Sequence, residues 1–175
     1  MTQEQMPPFY ARWRVPADLS IVSATRQRVR AHLTSWGFDP KGDSVDSMLL
    51  LADEVLANAI KHGASPDGTL HPLFVFLCGR PGEVLFGVMD GSPEQPVVRP
   101  FDADGESGRG MALIEEVSKE WGTYLTRHGK AVWVTVLMPD QPIVREMSRA
   151  QRRAALYSRI REARPRSYAL LSGAA

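Results

Sequence analysis

One cysteine, Cys78, stands in 175 residues, which excludes an internal disulfide framework. It lies in an apolar run and reads as core rather than as a nucleophile. No apolar run reaches membrane-spanning length, and the first twenty residues hold charges and prolines where a signal peptide would hold a hydrophobic core. His32, His71 and His128 lack metal-ligand spacing, so no zinc site is expected. There is no internal repeat and no low-complexity tract. With 43% hydrophobic and 23% charged residues, the composition is that of a globular chain of single-domain size, neither disordered nor fibrous. These absences point to a soluble cytoplasmic protein.

The net charge of +1 hides an asymmetry. Up to Asp140 there are thirteen Lys and Arg against eighteen Asp and Glu; beyond it, eight Arg against two Glu. The chain divides into a leader (1–8), an acidic body (9–140) and a basic extension (141–175). Residues 144–163 of the extension are helix-permissive, with arginines interleaved with Met147, Leu156 and Ile160. They have little aromatic interleaving and no recognisable nucleic-acid reading module, so a solvated helix or an intramolecular partner of the acidic body is the preferred reading.

In the body, Phe9, Ala11, Trp13 and Val15 alternate with polar residues in the period of a half-buried strand, stopped by Pro16. Asp18 is placed to cap a helix with Leu19, Val22, Val29 and Leu33 on its apolar face, ending near Trp36 before Gly37 and Pro40. Runs at 73–78 and 84–89 flank Gly79-Arg80-Pro81-Gly82 and read as a hairpin, the second run ending on Asp90-Gly91-Ser92. Residues 91–108 hold three prolines and four acids without periodicity, a long loop that fits a lid. It closes on Gly105-Glu106-Ser107-Gly108-Arg109-Gly110, just before a helix through Met111, Leu113, Ile114 and Val117. Glycines ahead of a helix N-terminus leave backbone N–H groups that suit phosphate oxygens. A last hairpin spans 123–138 around His128-Gly129. Hairpin-linked strands separated by helices imply an α+β two-layer sandwich, with a mixed, mainly antiparallel sheet and helices on one face.

The body is organised around a helix starting near Asp43 or Ser44, either of which can cap it, and ended by Gly63. Val45, Met48, Leu49, Ala52, Val55, Leu56, Ala59 and Ile60 follow the spacing of one face. Leu50 and Leu51 make its first half apolar all round, so a cover is expected there as well. On the outward face Glu54 and Asn58 stack one turn apart, with Lys61 and His62 beyond them. Such a face can be merely solvated, and an acid such as Asp90 is often only a turn residue. Lys61 reads as a surface charge and His62 as structural, while Arg109 could pair with a lid acid or with a phosphate.

Three segments in this order resemble the ATP-binding domain shared by gyrase, bacterial histidine kinases and mismatch-repair ATPases. Glu54-x-x-x-Asn58-Ala59-x-x-His62-Gly63 is similar to that superfamily's N box, Asp90-Gly91-Ser92 to its first glycine box, and Gly108-Arg109-Gly110-Met111 with Leu113 to its second. The short body, His62 and Trp121-Gly122 bring the chain nearest the stand-alone anti-sigma-factor serine kinases. Ser92 departs from the pattern, which usually has glycine there, and the arginine-rich tail has no counterpart in the minimal domain. Too little precedes the central helix for a phosphoacceptor hairpin, so a complete histidine kinase is not expected.

The resemblance implies ATP and Mg²⁺ as ligands, with Asn58 holding the metal against the phosphates and Glu54 acting as general base or orienting the attacking hydroxyl. It implies that Asp90 accepts the adenine amino proton and that Gly105 to Gly110, with Arg109 and Met111, enclose the phosphates. The implied activity is phosphorylation of a serine or threonine on a small antagonist protein. Implied partners are that antagonist, a sigma factor and a second copy of the chain. A non-catalytic module that holds ATP or ADP as a switch is the alternative reading.

Overall fold

The computed structural model describes residues 9–80, 82–97 and 109–138, with Arg109 by its backbone alone. The leader (1–8), Gly105, Gly108 and the extension (141–175) lie outside these residues. Strand β1 (Tyr10–Val15) buries Ala11 and Trp13 and exposes Arg12 and Arg14, the alternation read from its sequence. Asp18 accepts from the Ser20 backbone N–H at 2.7 Å, but the turn it caps is a separate 3-10 turn, Leu19–Ile21. Helix α1 (Val22–Ser35) starts after that turn and buries Thr25, Val29 and Leu33. Leu19, 52% exposed, therefore lies outside the apolar face assigned to it. The helix ends in a Schellman arrangement: the Phe38 N–H reaches the Leu33 carbonyl (3.1 Å) and the Gly37 N–H reaches that of Thr34 (3.0 Å). Gly37 takes φ 91°, and Phe38 and Leu33 are both buried across the turn.

Helix α2 (Asp43–His62) is the spine. Its N-cap is Gly42, whose carbonyl accepts from Val45 and Asp46; Asp43 and Ser44 are already helical and neither side chain caps. Asp43 and Asp46 still favour the positive end of the helix dipole from within the first turn. Every apolar position of the expected face is buried, and so is Leu51. Leu50 is 41% exposed, so the cover expected around the first half is incomplete. The flanking helix α1 accounts for this: Arg26 pairs with Asp53 and Arg30 with Asp46, which fixes α1 along one side of α2 and leaves Leu50 on the outward ridge.

Strands β2 (Leu73–Arg80) and β3 (Glu83–Asp90) form the expected hairpin, longer at the turn than the apolar runs alone indicated. Helix α3 (Arg109–Val117), β4 (Glu120–Thr126) and β5 (Gly129–Leu137) complete the order. The sheet runs β1-β2-β3-β5-β4 and all its pairings are antiparallel, so the mixed pairing allowed by the sequence does not occur among the described strands. Val75, Val88 and Val132 sit in one register line, Leu77, Phe86 and Val134 in the next; all are buried against the helical layer. The alternation puts Cys78 on the opposite face, half-buried rather than in the core. Registers this continuous make the sheet a stiff floor for α2.

Candidate functional site

The outward side of α2 meets the start of α3. A Cβ added to Gly110 would lie 2.6 Å from Glu54 Oε2 and 3.4 Å from Asn58 Nδ2, so only glycine fits between helix and carboxylate without displacing it. The next residue, Met111, is buried and its sulfur accepts from Asn58 Nδ2 at 3.6 Å. That weak contact orients the carboxamide and leaves the Asn58 carbonyl oxygen uncommitted among the described residues. Adjacent acids on α2 have different fates. Asp53 is taken by Arg26, with Nε at 2.7 Å, whereas Glu54 is half-buried with no ion pair or hydrogen bond among the described residues. A carboxylate, an amide oxygen and the N-terminal end of a nine-residue helix thus share one spot. Unpaired backbone N–H groups at such an end favour anionic oxygens.

Asp90 stands beside the C-terminal end of α2. The Gly91 N–H donates to the carbonyl of Gly63, the C-cap residue, at 2.9 Å, which ties the tip of β3 to the helix terminus. Gly129, at φ 151°, closes the third side: a Cβ there would fall 2.0 Å from the Asp90 carbonyl oxygen. From Gly63 back to Asn58 is five residues and to Glu54 nine. At the rise of an α-helix these spans are about 7 and 13 Å. The strand tip that carries the acid is therefore displaced from the polar pair by those distances along the α2 axis.

The Asp90 side chain is wholly buried. Its Oδ1 accepts from the Ser92 backbone N–H (2.9 Å) and from Lys130 Nζ (3.0 Å), while Oδ2 is buried without a partner among the described residues. Burial pushes the carboxyl above the ordinary carboxylate range; the bonds from Lys130 and from Ser92 pull it part of the way back. Lys130 is also buried and reaches the Ser92 carbonyl at 3.4 Å. Ser92, the departure from the glycine pattern, is accommodated here: its N–H serves Asp90 and its hydroxyl accepts from the Glu94 N–H. Gln95 then bonds Thr123 of β4, which holds the start of the long loop over the site's side of the sheet.

Of the residues singled out in the sequence, Glu54, Asn58, Gly110 and Met111 come together, and Asp90, at the tip of β3, stands beside the C-terminal end of α2. Lys61 and His62 are exposed, so the structural role read for His62 has no buried setting. Arg109 contributes its helical backbone, and the question of its partner lies outside the described residues. Lys130 was missed. Its signal was present in the phase of β5, where it shares the inward register of Val132, Val134 and Val136.

Among the described residues no helix is long and apolar enough to cross a membrane. No group of three or more His, Cys, Asp or Glu is arranged to hold a metal among them either, so a cation here would depend on ligand oxygens beside Asn58. None of the curated proteins matches this sequence. The sequence model of the histidine kinase-like ATPase domain matches residues 15–136, from the end of β1 to near the end of β5. That span contains Glu54, Asn58, Asp90, Gly110 and Lys130 and more than half of the chain, which therefore belongs to the family of histidine kinase-like ATPase domains.

Proposed function

We propose that the chain is a Mg²⁺-ATP-dependent regulator that phosphorylates a serine or threonine of a small antagonist protein, in the manner of the anti-sigma-factor kinases. The observation that carries this reading is the Glu54 carboxylate against Gly110, unpaired among the described residues, beside an Asn58 amide oxygen uncommitted among them. Family membership supports ATP binding; in this reading adenine sits at Asp90 and the phosphates between Asn58 and the α3 N-terminus.

A hard divalent cation suits an amide oxygen plus phosphate oxygens, and Mg²⁺ bound there would neutralise charge on the phosphates. The chain's own residues supply positioning and proton transfer. Asn58 orients the phosphates along α2, and backbone N–H groups at Gly110 and Met111 offer donors to the terminal oxygens. Glu54 accepts the proton of the attacking hydroxyl. The new bond joins that oxygen to the γ-phosphorus, the bond to the β–γ bridging oxygen breaks, and ADP leaves with the electron pair. A carboxylate committed to an arginine, as Asp53 is, would serve poorly as such a base.

Incubation of the full chain with γ-labelled ATP and candidate antagonists tests the assignment. Glu54→Ala is expected to abolish the phosphoprotein while retaining nucleotide binding. Equal labelling by the variant rejects the role of Glu54. Tight nucleotide binding with no phosphoprotein under any pairing would instead favour the non-catalytic ATP/ADP switch.

A further inference from the structure

The Asp90–Lys130 pair leaves two unmet groups side by side. Lys130 Nζ carries three N–H donors. Asp90 Oδ1 and the Ser92 carbonyl take two, and no acceptor among the described residues takes the third. Asp90 Oδ2 is an acceptor without a donor among the described residues, fully buried in the same cluster. Polar groups this deep are normally satisfied, and a pair of them points to a ligand edge with one donor beside one acceptor. Adenine presents that edge as its N6 amino group next to N1.

We propose that Lys130 is a specificity-determining residue that donates to N1 of adenine while Asp90 Oδ2 accepts from N6, so that the pair reads two adjacent positions of the base. This rests on the proposed ATP site. Guanine offers the reverse edge: a carbonyl oxygen, then two neighbouring N–H donors that a carboxylate takes with both oxygens. Here Oδ1 is already held by Lys130 and the Ser92 N–H, and only one oxygen remains. The ammonium would also do directly what a bridging water would otherwise do, at less entropic cost on binding.

Calorimetric titration of the full chain with ATP, 1-deaza-ATP and GTP tests this, in wild type and in Lys130→Met. 1-deaza-ATP lacks only the N1 acceptor. In wild type it is expected to bind on the order of 10- to 100-fold more weakly than ATP, the loss of one charge-assisted hydrogen bond. GTP is expected to bind more weakly still. In Lys130→Met the two adenine nucleotides should differ by less than roughly threefold. Equal affinity of wild type for ATP and 1-deaza-ATP overturns the inference, and that comparison stands even if the variant fails to fold. An undiminished 1-deaza penalty in the variant would assign N1 to a water and overturn it too, as would GTP binding as tightly as ATP. If no nucleotide binds wild type at all, the ATP reading itself fails and the inference falls with it.

Discussion

Removing the charge of Lys130 should destabilise the fold strongly, and in a pH-dependent way. Lys130→Met keeps most of the side-chain length but leaves Asp90 as an uncompensated carboxylate with no exposed surface. Breaking a buried pair by deleting one partner costs about 3–5 kcal/mol. At about 2–4 °C per kcal/mol for a chain of this size, the melting temperature should fall by roughly 6–20 °C at neutral pH. Asp90→Asn should cost a similar amount, because it strands the ammonium. The double variant Asp90→Asn/Lys130→Met buries no charge and should recover most of the loss, which a double-mutant cycle in thermal or urea unfolding would measure. Lys130 is among the influences holding the Asp90 carboxyl down against burial, so its removal raises that group further. An acid with a raised folded-state pKa is stabilising when protonated and loses that contribution as pH rises through the folded value. The penalty of Lys130→Met should therefore be smallest where Asp90 is protonated in both proteins, grow as pH rises through the wild-type carboxyl's own raised value, and level off beyond the higher value in the variant. A penalty under about 1 kcal/mol at pH 7, or one independent of pH, would refute the buried pair as described.

Two further substitutions separate site from scaffold. Gly110→Ala places a methyl 2.6 Å from Glu54 Oε2, about 0.8 Å inside the 3.4 Å where ordinary contact begins, so the carboxylate must move. Stability should be unchanged or raised by up to about 1 kcal/mol from helix propensity, while phosphoryl transfer should fall about 100-fold; melting curves beside a labelled-ATP assay would show both. Phe86→Ala, at a fully buried position in the central strand, should cost about 3–5 kcal/mol in urea unfolding, against a typical total of about 5–15 kcal/mol.

How far the fold could be read from sequence varied with the range of the interactions. The buried face of α2, from Val45 through Met48, Leu49, Ala52, Val55, Leu56 and Ala59 to Ile60, was legible because a helix face is set by local periodicity. The β2–β3 hairpin and the position of Asp90 were legible for the same reason. Leu19 was misjudged because a 3-10 turn interrupts the phase between Asp18 and α1. The cap at Gly42 was missed because an acid in the first turn looks the same in sequence as an acid at the cap. Leu50 was misjudged because its exposure depends on where α1 and α3 flank α2, a matter of packing. Lys130 could be placed on the inward face from the phase of β5, but its pairing was invisible for a related reason. Its partner lies forty residues away across an antiparallel pairing, and only the register Asp90↔Lys130 brings them together. The approach of Gly110 to Glu54 likewise needs the α2–α3 packing, although the resemblance to the second glycine box had already marked the residue.

The reading as a whole requires that a nucleotide occupy the side of α2 between Asp90 and Glu54. Calorimetric titration of the full chain with ATP, with and without Mg²⁺, and of Asn58→Ala under the same conditions, addresses that occupancy. Saturable binding that strengthens with Mg²⁺, and loses its Mg²⁺ dependence in the variant, is the expected result. Absence of binding by a folded wild-type chain, or a Mg²⁺ response identical in Asn58→Ala, would contradict it.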